Sequence, residues 1–126
     1  SFTSEDFRRA TEEVLLRQAA TGSGVILGRA AVVVLREDRR VVRVRLDGPR
    51  EPRAEQAMKL NPRLDRASAE RALRRSDRTH ADYARQLYGV DITHPGLYHL
   101  VLDSTAIPTQ ACVEVIAVAM EALSLS

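Results

Sequence analysis

Apolar positions recur along the chain at two different periods, and the changes between them divide it into helices and strands. Phe7, Ala10, Val14 and Ala19 follow one another at helical spacing. Ahead of them, Thr3-Ser4 offers capping hydroxyls, Glu5 and Asp6 suit the positive end of a helix, and Gly22 supplies a stop. Val25 to Leu27 is a short apolar run that predicts a buried strand, ended by Gly28-Arg29. Ala30 to Leu35 fits a strand or a short helix, and its length does not separate the two. After a charged turn at Arg36 to Arg40, Val41, Val42, Val44 and Leu46 predict a second strand, interrupted by Arg43 and Arg45. That alternation sends one face to solvent or to a polar neighbour.

Pro49 and Pro52 sit where a helix can begin, with Arg53 to Lys59 following and Pro62 breaking the pattern. Residues 67 to 88 predict a long amphipathic helix, with Leu73, His80, Ala84 and Leu87 on one stripe and Arg74, Arg78 and Arg85 beside it. A loop from Gly89 to Gly96 leads to a third strand, Tyr98 to Leu102, and to Asp103-Ser104-Thr105. Pro108 then opens a last helix whose stripe of Cys112, Val113, Ile116 and Met120 is expected to face the core. Short apolar strands separated by helices argue for an α/β fold with a parallel sheet. No repeat or low-complexity segment divides the chain, so residues 1–126 are expected to form a single domain.

The length of 126 residues matches one domain, and a composition of 44% hydrophobic and 29% charged residues excludes a disordered tail. Nineteen basic against seventeen acidic groups leave a net charge of only +2, too little to argue for a nucleic-acid or membrane surface. The distribution changes the picture: residues 36 to 85 hold fifteen basic and nine acidic groups, a net +6. All the basic residues but Lys59 are Arg, whose rigid fork matches carboxylate or phosphate. An RNA-binding role is the weaker reading of that excess, because no aromatic platform accompanies the arginines. The single Cys112 cannot form an internal disulfide, which suggests the cytoplasm. No apolar run reaches the ~20 residues that span a bilayer, so no membrane partner is expected. The chain opens on Ser1 without a signal pattern, and a fragment or a processed protein is expected.

Candidate chemistry is sparse. Gly22-Ser23-Gly24 with Gly28 superficially resembles a phosphate-cradling loop, but it precedes a predicted strand instead of following one, and reads as a helix stop and turn. A Walker A loop needs Gly-Lys-Ser/Thr, and Lys59 lies between Met58 and Leu60. His80, His94 and His99 match no zinc spacing, so no metal site is expected; Cys112 reads as a buried inert thiol. Ligands in parallel α/β sheets gather beyond the carboxyl ends of strands, where Arg29 and Asp103 fall. A surface ion pair and a turn-capping aspartate are the plain alternatives. Arg74, Asp77, Arg78 and His80 occupy successive turns of the long helix, either as a solvated face of ion pairs or as a grip on phosphoryl oxygens.

Two stretches read together supply a wider pattern. Val25-Ile26-Leu27-Gly28-Arg29-Ala30, the strand Val41 to Leu46 and Glu51-Pro52-Arg53-Ala54 form the first. Ser76-Asp77-Arg78, Tyr83, Tyr88-Gly89-Val90-Asp91 and Tyr98 to Thr105 form the second. Over residues 10 to 122 their order and spacing resemble the cytidylate kinase-like family of P-loop nucleoside monophosphate kinases. The resemblance implies a three-layer parallel-sheet α/β domain with its first two strands absent, and a lid-like helical region at 50–75. It implies a phosphotransferase acting on a CMP-like nucleoside monophosphate, with Mg2+ and ATP as cofactors. Arg29 would then hold the acceptor's phosphate, Arg53 would lie by the lid, and Asp77 would contact the nucleoside. Arg74, Arg78 and His80 would flank them, and Asp103 would lie near the nucleotide. Leu27 and Ala30 replace aspartates beside the Gly-Arg turn, His80 stands where an Arg is expected, and Gln56 and Ala57 replace arginines. In the family the first strand lies between those resembling 25 to 27 and 41 to 46. A gap in the sheet, filled by a completing amino-terminal segment or by homo-oligomerisation, is therefore expected. The piece alone is expected to be inactive. A non-catalytic kinase-like module that binds a nucleotide or partner is the alternative.

Overall fold

In the computed structural model, which describes residues 3–22, 24–28 and 30–124, two short segments meet as a parallel pair. They are β1 (Val44–Asp47) and β2 (Leu100–Asp103), in register Val44 with Leu100 through Asp47 with Asp103. Around them lie α1 (Ser4–Ala20), α2 (Ala31–Val34), α3 (Arg50–Leu60), α4 (Arg66–Tyr88) and α5 (Thr109–Ser124), with a 3-10 turn at Pro95–Leu97. The architecture is a mixed helix and strand fold with a small two-stranded parallel sheet, compatible with a kinase-like α/β fold. No helix among the described residues is long and apolar enough to cross a membrane.

Local signals set most helix ends. The Thr3 hydroxyl accepts from the Asp6 amide at 3.1 Å, and the Asp6 carboxylate accepts from the Thr3 amide at 2.9 Å, so two otherwise free donors are satisfied reciprocally. Asp65 and Ser68 make the same box at the start of α4. Gly89 closes α4 at φ +64°, a left-handed turn that glycine adopts without steric cost. The main apolar cluster joins Leu15 and Ala19 of α1 to Ala31 and Leu35, with Ile26, Val34 and Val41 packed against it. Ala54 of α3 and Ala69 and Ala84 of α4 are fully buried, and α3 packs against α4.

Several expectations change. Val25 to Leu27 takes no regular structure and pairs with no strand among the described residues, and Val25 and Leu27 are 87% and 86% exposed. A three-residue run has no ladder of its own to hold it and needs a neighbour. Between this segment and β1 lies a trough of about 330 Å3, lined by Val25, Ile26, Leu27, Leu46, Ile116 and Met120 among others. It lies between the two segments that the resemblance separates by one strand. The undecided stretch contains the short helix α2, entered through Ala30 at φ +53°. The second strand forms only from Val44, and the third begins two residues later and ends one residue later than expected. His80 does not join the buried stripe of α4, because the alanines carry that contact. In α5, Cys112 is buried while Val113 and Met120 are each 52% exposed; a helix apolar on most sides does not select one stripe.

The entry to the sheet is stapled by Arg43. Its carbonyl accepts from the His99 amide at 2.8 Å and the Leu100 amide at 3.3 Å. Its own amide donates to His99 Nδ1 at 2.9 Å, and its guanidinium donates to the carbonyls of Leu97 and Arg36 at 2.7 and 2.9 Å. Burial, with the Arg43 charge, holds the His99 imidazole below its ordinary 6.5, and an unprotonated Nδ1 is what accepts the Arg43 amide. The unfolded chain therefore takes up this proton at a higher pH than the folded one. Thermal stability is expected to fall as pH drops from 7.5 through 6.5 and below, and His99→Asn should flatten that slope, as circular dichroism melts would read. At the α3–α4 contact, Ala54→Leu is expected to cost about 1–3 kcal/mol by overpacking, seen as a lower urea midpoint.

Candidate functional site

The carboxyl end of β1 delivers the chain into α3. At Gly48 (φ +154°) a Cβ would lie 2.6 Å from Thr105 Cγ2 and 2.8 Å from Asp103 Oδ1, so only glycine fits this close approach. Pro49 caps α3 in extended conformation, which places Arg53 about one turn into the helix. The Ser104 amide donates to the Asp47 carbonyl at 3.1 Å, and Gln56 Nε2 donates to the Ser104 carbonyl at 3.1 Å. The ends of both strands and the first half of α3 are thus tied together.

From there Arg53 reaches across to the middle of α4. Its Nη1 and Nη2 donate to Asp77 Oδ2 and Oδ1, both at 2.9 Å, an end-on bidentate pair. These hydrogen bonds hold the Asp77 carboxyl below the usual carboxylate range against the opposing effect of burial; the charges of Arg53, His80 and Arg45 add to the shift. Asp77 in turn raises Arg53, and Asp47 acts on Arg53 in the same direction. Arg45 Nη2 lies 3.5 Å from Asp47 Oδ2, and Arg45 Nη1 donates to the Ile92 carbonyl at 3.1 Å. Four alternating charges, with His80 beside them, therefore join β1, α3 and α4.

The structure brings together Arg53, Asp77 and His80 of the expected residues. Arg74 and Arg78 are exposed on α4, and both Asp77 oxygens go to Arg53 on another helix instead of to Arg74 one turn back. Asp103 accepts from the amides of Thr105 and Ala106 at 2.9 and 3.2 Å and from the Thr105 hydroxyl. Those bonds lower its pKa, the Thr105 hydroxyl most, and make it the turn-closing aspartate of the plain alternative, one strand over from Asp47. Arg29 lies outside the described residues. Sequence reasoning did not single out Arg45 and Asp47 as site residues. The signal was the alternation of Val44 and Leu46 with Arg45 and Asp47, which marked one face of the strand as polar.

Phosphates of ATP are ordinarily cradled by glycine-rich backbone with a lysine. Lys59 stands exposed near the end of α3, so the described residues do not fit Mg·ATP. Among them no three His, Cys, Asp or Glu side chains gather to hold a metal ion.

Against known proteins, residues 1–106 match the model of the cytidylate kinase-like family. The chain belongs to the cytidylate kinase-like family. No curated protein and no solved structure matches it. The cytidylate kinase-like match ends just beyond β2, before α5, and includes every residue of the charge cluster. It makes the chain a kinase-like, nucleotide-related domain.

Energetically the Arg53–Asp77 pair is modest, since the two side chains are 28% and 53% exposed and water screens them. Arg53→Ala and Asp77→Asn are each expected to cost less than about 1 kcal/mol, with a double-mutant coupling of about 0.2–1 kcal/mol in urea unfolding.

Proposed function

We propose that this chain carries the acceptor side of a nucleoside monophosphate kinase, with CMP-like nucleotides as substrates. The observation that carries the reading is the meeting of Arg53 and Asp77 beyond the carboxyl end of β1, in a chain of this family. In this reading the Arg53 guanidinium receives the acceptor's phosphate, together with Arg29, and the Asp77 carboxylate accepts hydrogen bonds from the nucleoside. Arg74 and Arg78 extend the positive surface along α4, and His80 lies one turn beyond Asp77 on the same helix. Asp103 keeps the strand ends in place beside the nucleotide. Residues 50–75, which begin with α3, act as the lid. Positioning and charge neutralisation are what phosphoryl transfer asks of a protein, and an arginine-rich central segment suits both.

The donor side, with Mg2+ and ATP, belongs in this reading to a completing amino-terminal segment that lays a strand in the trough beside β1, or to a second copy. The apolar lining of the trough and the unpaired edge of β1 support that part. The single thiol, which cannot pair within these residues, suits a cytoplasmic setting. The second reading, a non-catalytic module that binds a nucleotide, is favoured by the position of Lys59 and by His80 in place of an arginine.

The test is ATP-dependent phosphorylation of CMP, dCMP and UMP by the full-length gene product. Turnover is expected with at least one acceptor, and Arg53→Ala should raise the acceptor KM by about tenfold or more, the loss of a charge-assisted bidentate contact. No turnover with any acceptor counts against the kinase. Acceptor binding without ATP binding, measured by calorimetry, supports the module instead.

A further inference from the structure

We propose that the Arg53–Asp77 pair is a latch between α3 and α4 that the acceptor's phosphate opens by replacing the Asp77 carboxylate on Arg53. The inference rests on the acceptor-site reading above and adds how the site responds to its ligand. Asp77 occupies both Nη groups of Arg53 at 2.9 Å, the end of the fork that a phosphate monoester would take in the same bidentate geometry. A phosphate monoester carries about −1.5 to −2 at neutral pH against −1 for a carboxylate, so it is the stronger competitor for one guanidinium. The exchange is also cheap, because the pair is partly exposed.

Asp77 feels the positive charges of His80, one turn further on, and of Arg45, and Arg53 feels the negative charge of Asp47, which Arg45 approaches at 3.5 Å. Each group therefore keeps a weaker electrostatic interaction when the pair parts. Ala54, next to Arg53, is fully buried, and besides that packing and this pair α3 is held by two polar contacts, Gln56 on the Ser104 carbonyl and Glu55 with Arg66 at 3.2 Å. Both are single contacts to exposed groups. Opening the latch therefore removes the polar tie between α3 and α4 while Ala54 stays packed and the start of α3 stays fastened at Gly48-Pro49. Phosphate arrival and release of that tie become one event.

Competition has a sign that alignment lacks. If Asp77 competes with phosphate, removing its charge strengthens phosphate binding; if Asp77 merely aims Arg53, removing it weakens binding. The measurement is NMR titration of the full chain with methyl phosphate, following the Arg53 Nε–Hε signal and, in the variant that lacks it, the backbone amides of the first turns of α3. Asp77→Asn is expected to bind roughly two- to fivefold more tightly than the unaltered protein, the competition an exposed ion pair can offer. Asp82→Asn, which removes an exposed charge from α4 without touching Arg53, should stay within about twofold, and Arg53→Ala should lose the site. Should Asp77→Asn fold poorly by circular dichroism, Asp77→Ser gives the same comparison. Equal or weaker binding by the Asp77 variants overturns the latch and leaves the acceptor site standing, and so does an equal gain in Asp82→Asn. Absence of methyl phosphate binding in both the unaltered protein and the Asp77 variants overturns the acceptor site and the latch together.

Discussion

Two strands that run the same way cannot be joined by a tight turn, and the pairing of β1 with β2 makes that constraint act on everything between them. The chain leaving Asp47 must cross over before it can return at Leu100, and it makes the crossing as α3 and α4. Arg53 and Asp77 are both carried on that crossover. Their meeting is a consequence of how the connection folds back beside the strand it has just left. The same register sets Asp47 next to Asp103, where the Gly48 and Thr105 turns touch too closely for any side chain at position 48.

Side-chain alternation then divides the labour of the sheet. Val44, Leu46, Leu100 and Leu102 point one way, and Arg45, Asp47, Val101 and Asp103 the other. Val44 and Leu46 of that apolar face line the trough, and residues 24–27 line it as well. That segment has the composition of a strand and lacks a neighbour to make it one. β-propensity describes fit to a pleated, half-buried surface, and Val25 and Leu27 have no such surface against them.

On the polar face, the charges are arranged in alternation and held at partial exposure. Deeply buried pairs are hard to exchange, and fully exposed ones have little geometry to offer. Arg53 and Asp77 sit between these limits: their geometry is bidentate, and water still reaches them. Such a pair contributes little to stability and much to chemistry, because each partner can change its companion. Arg43 shows the other use of the same residue type, with its guanidinium committed to the carbonyls of Leu97 and Arg36 and its backbone to His99.

The helices were legible because their signals are local. Capping residues, a 3.6-residue period and glycine stops act within a few positions of one another, so α1, α3 and α4 begin and end within a few residues of where the chain pattern puts them. The family was legible as well, since residue order and spacing are properties of the chain. Contacts distant in sequence were not. The sequence placed Asp77 among arginines of its own helix, whereas folding gave both its oxygens to Arg53 on α3. It marked Val25 to Leu27 as a strand, yet a strand exists only with a partner. It showed that one face of β1 is polar without showing that Arg45 and Asp47 would join a cluster. What the sequence determined by itself was therefore where helices form and which family's pattern the chain follows. The tertiary structure decided which charge meets which, because that depends on how a crossover packs and not on any spacing along the chain.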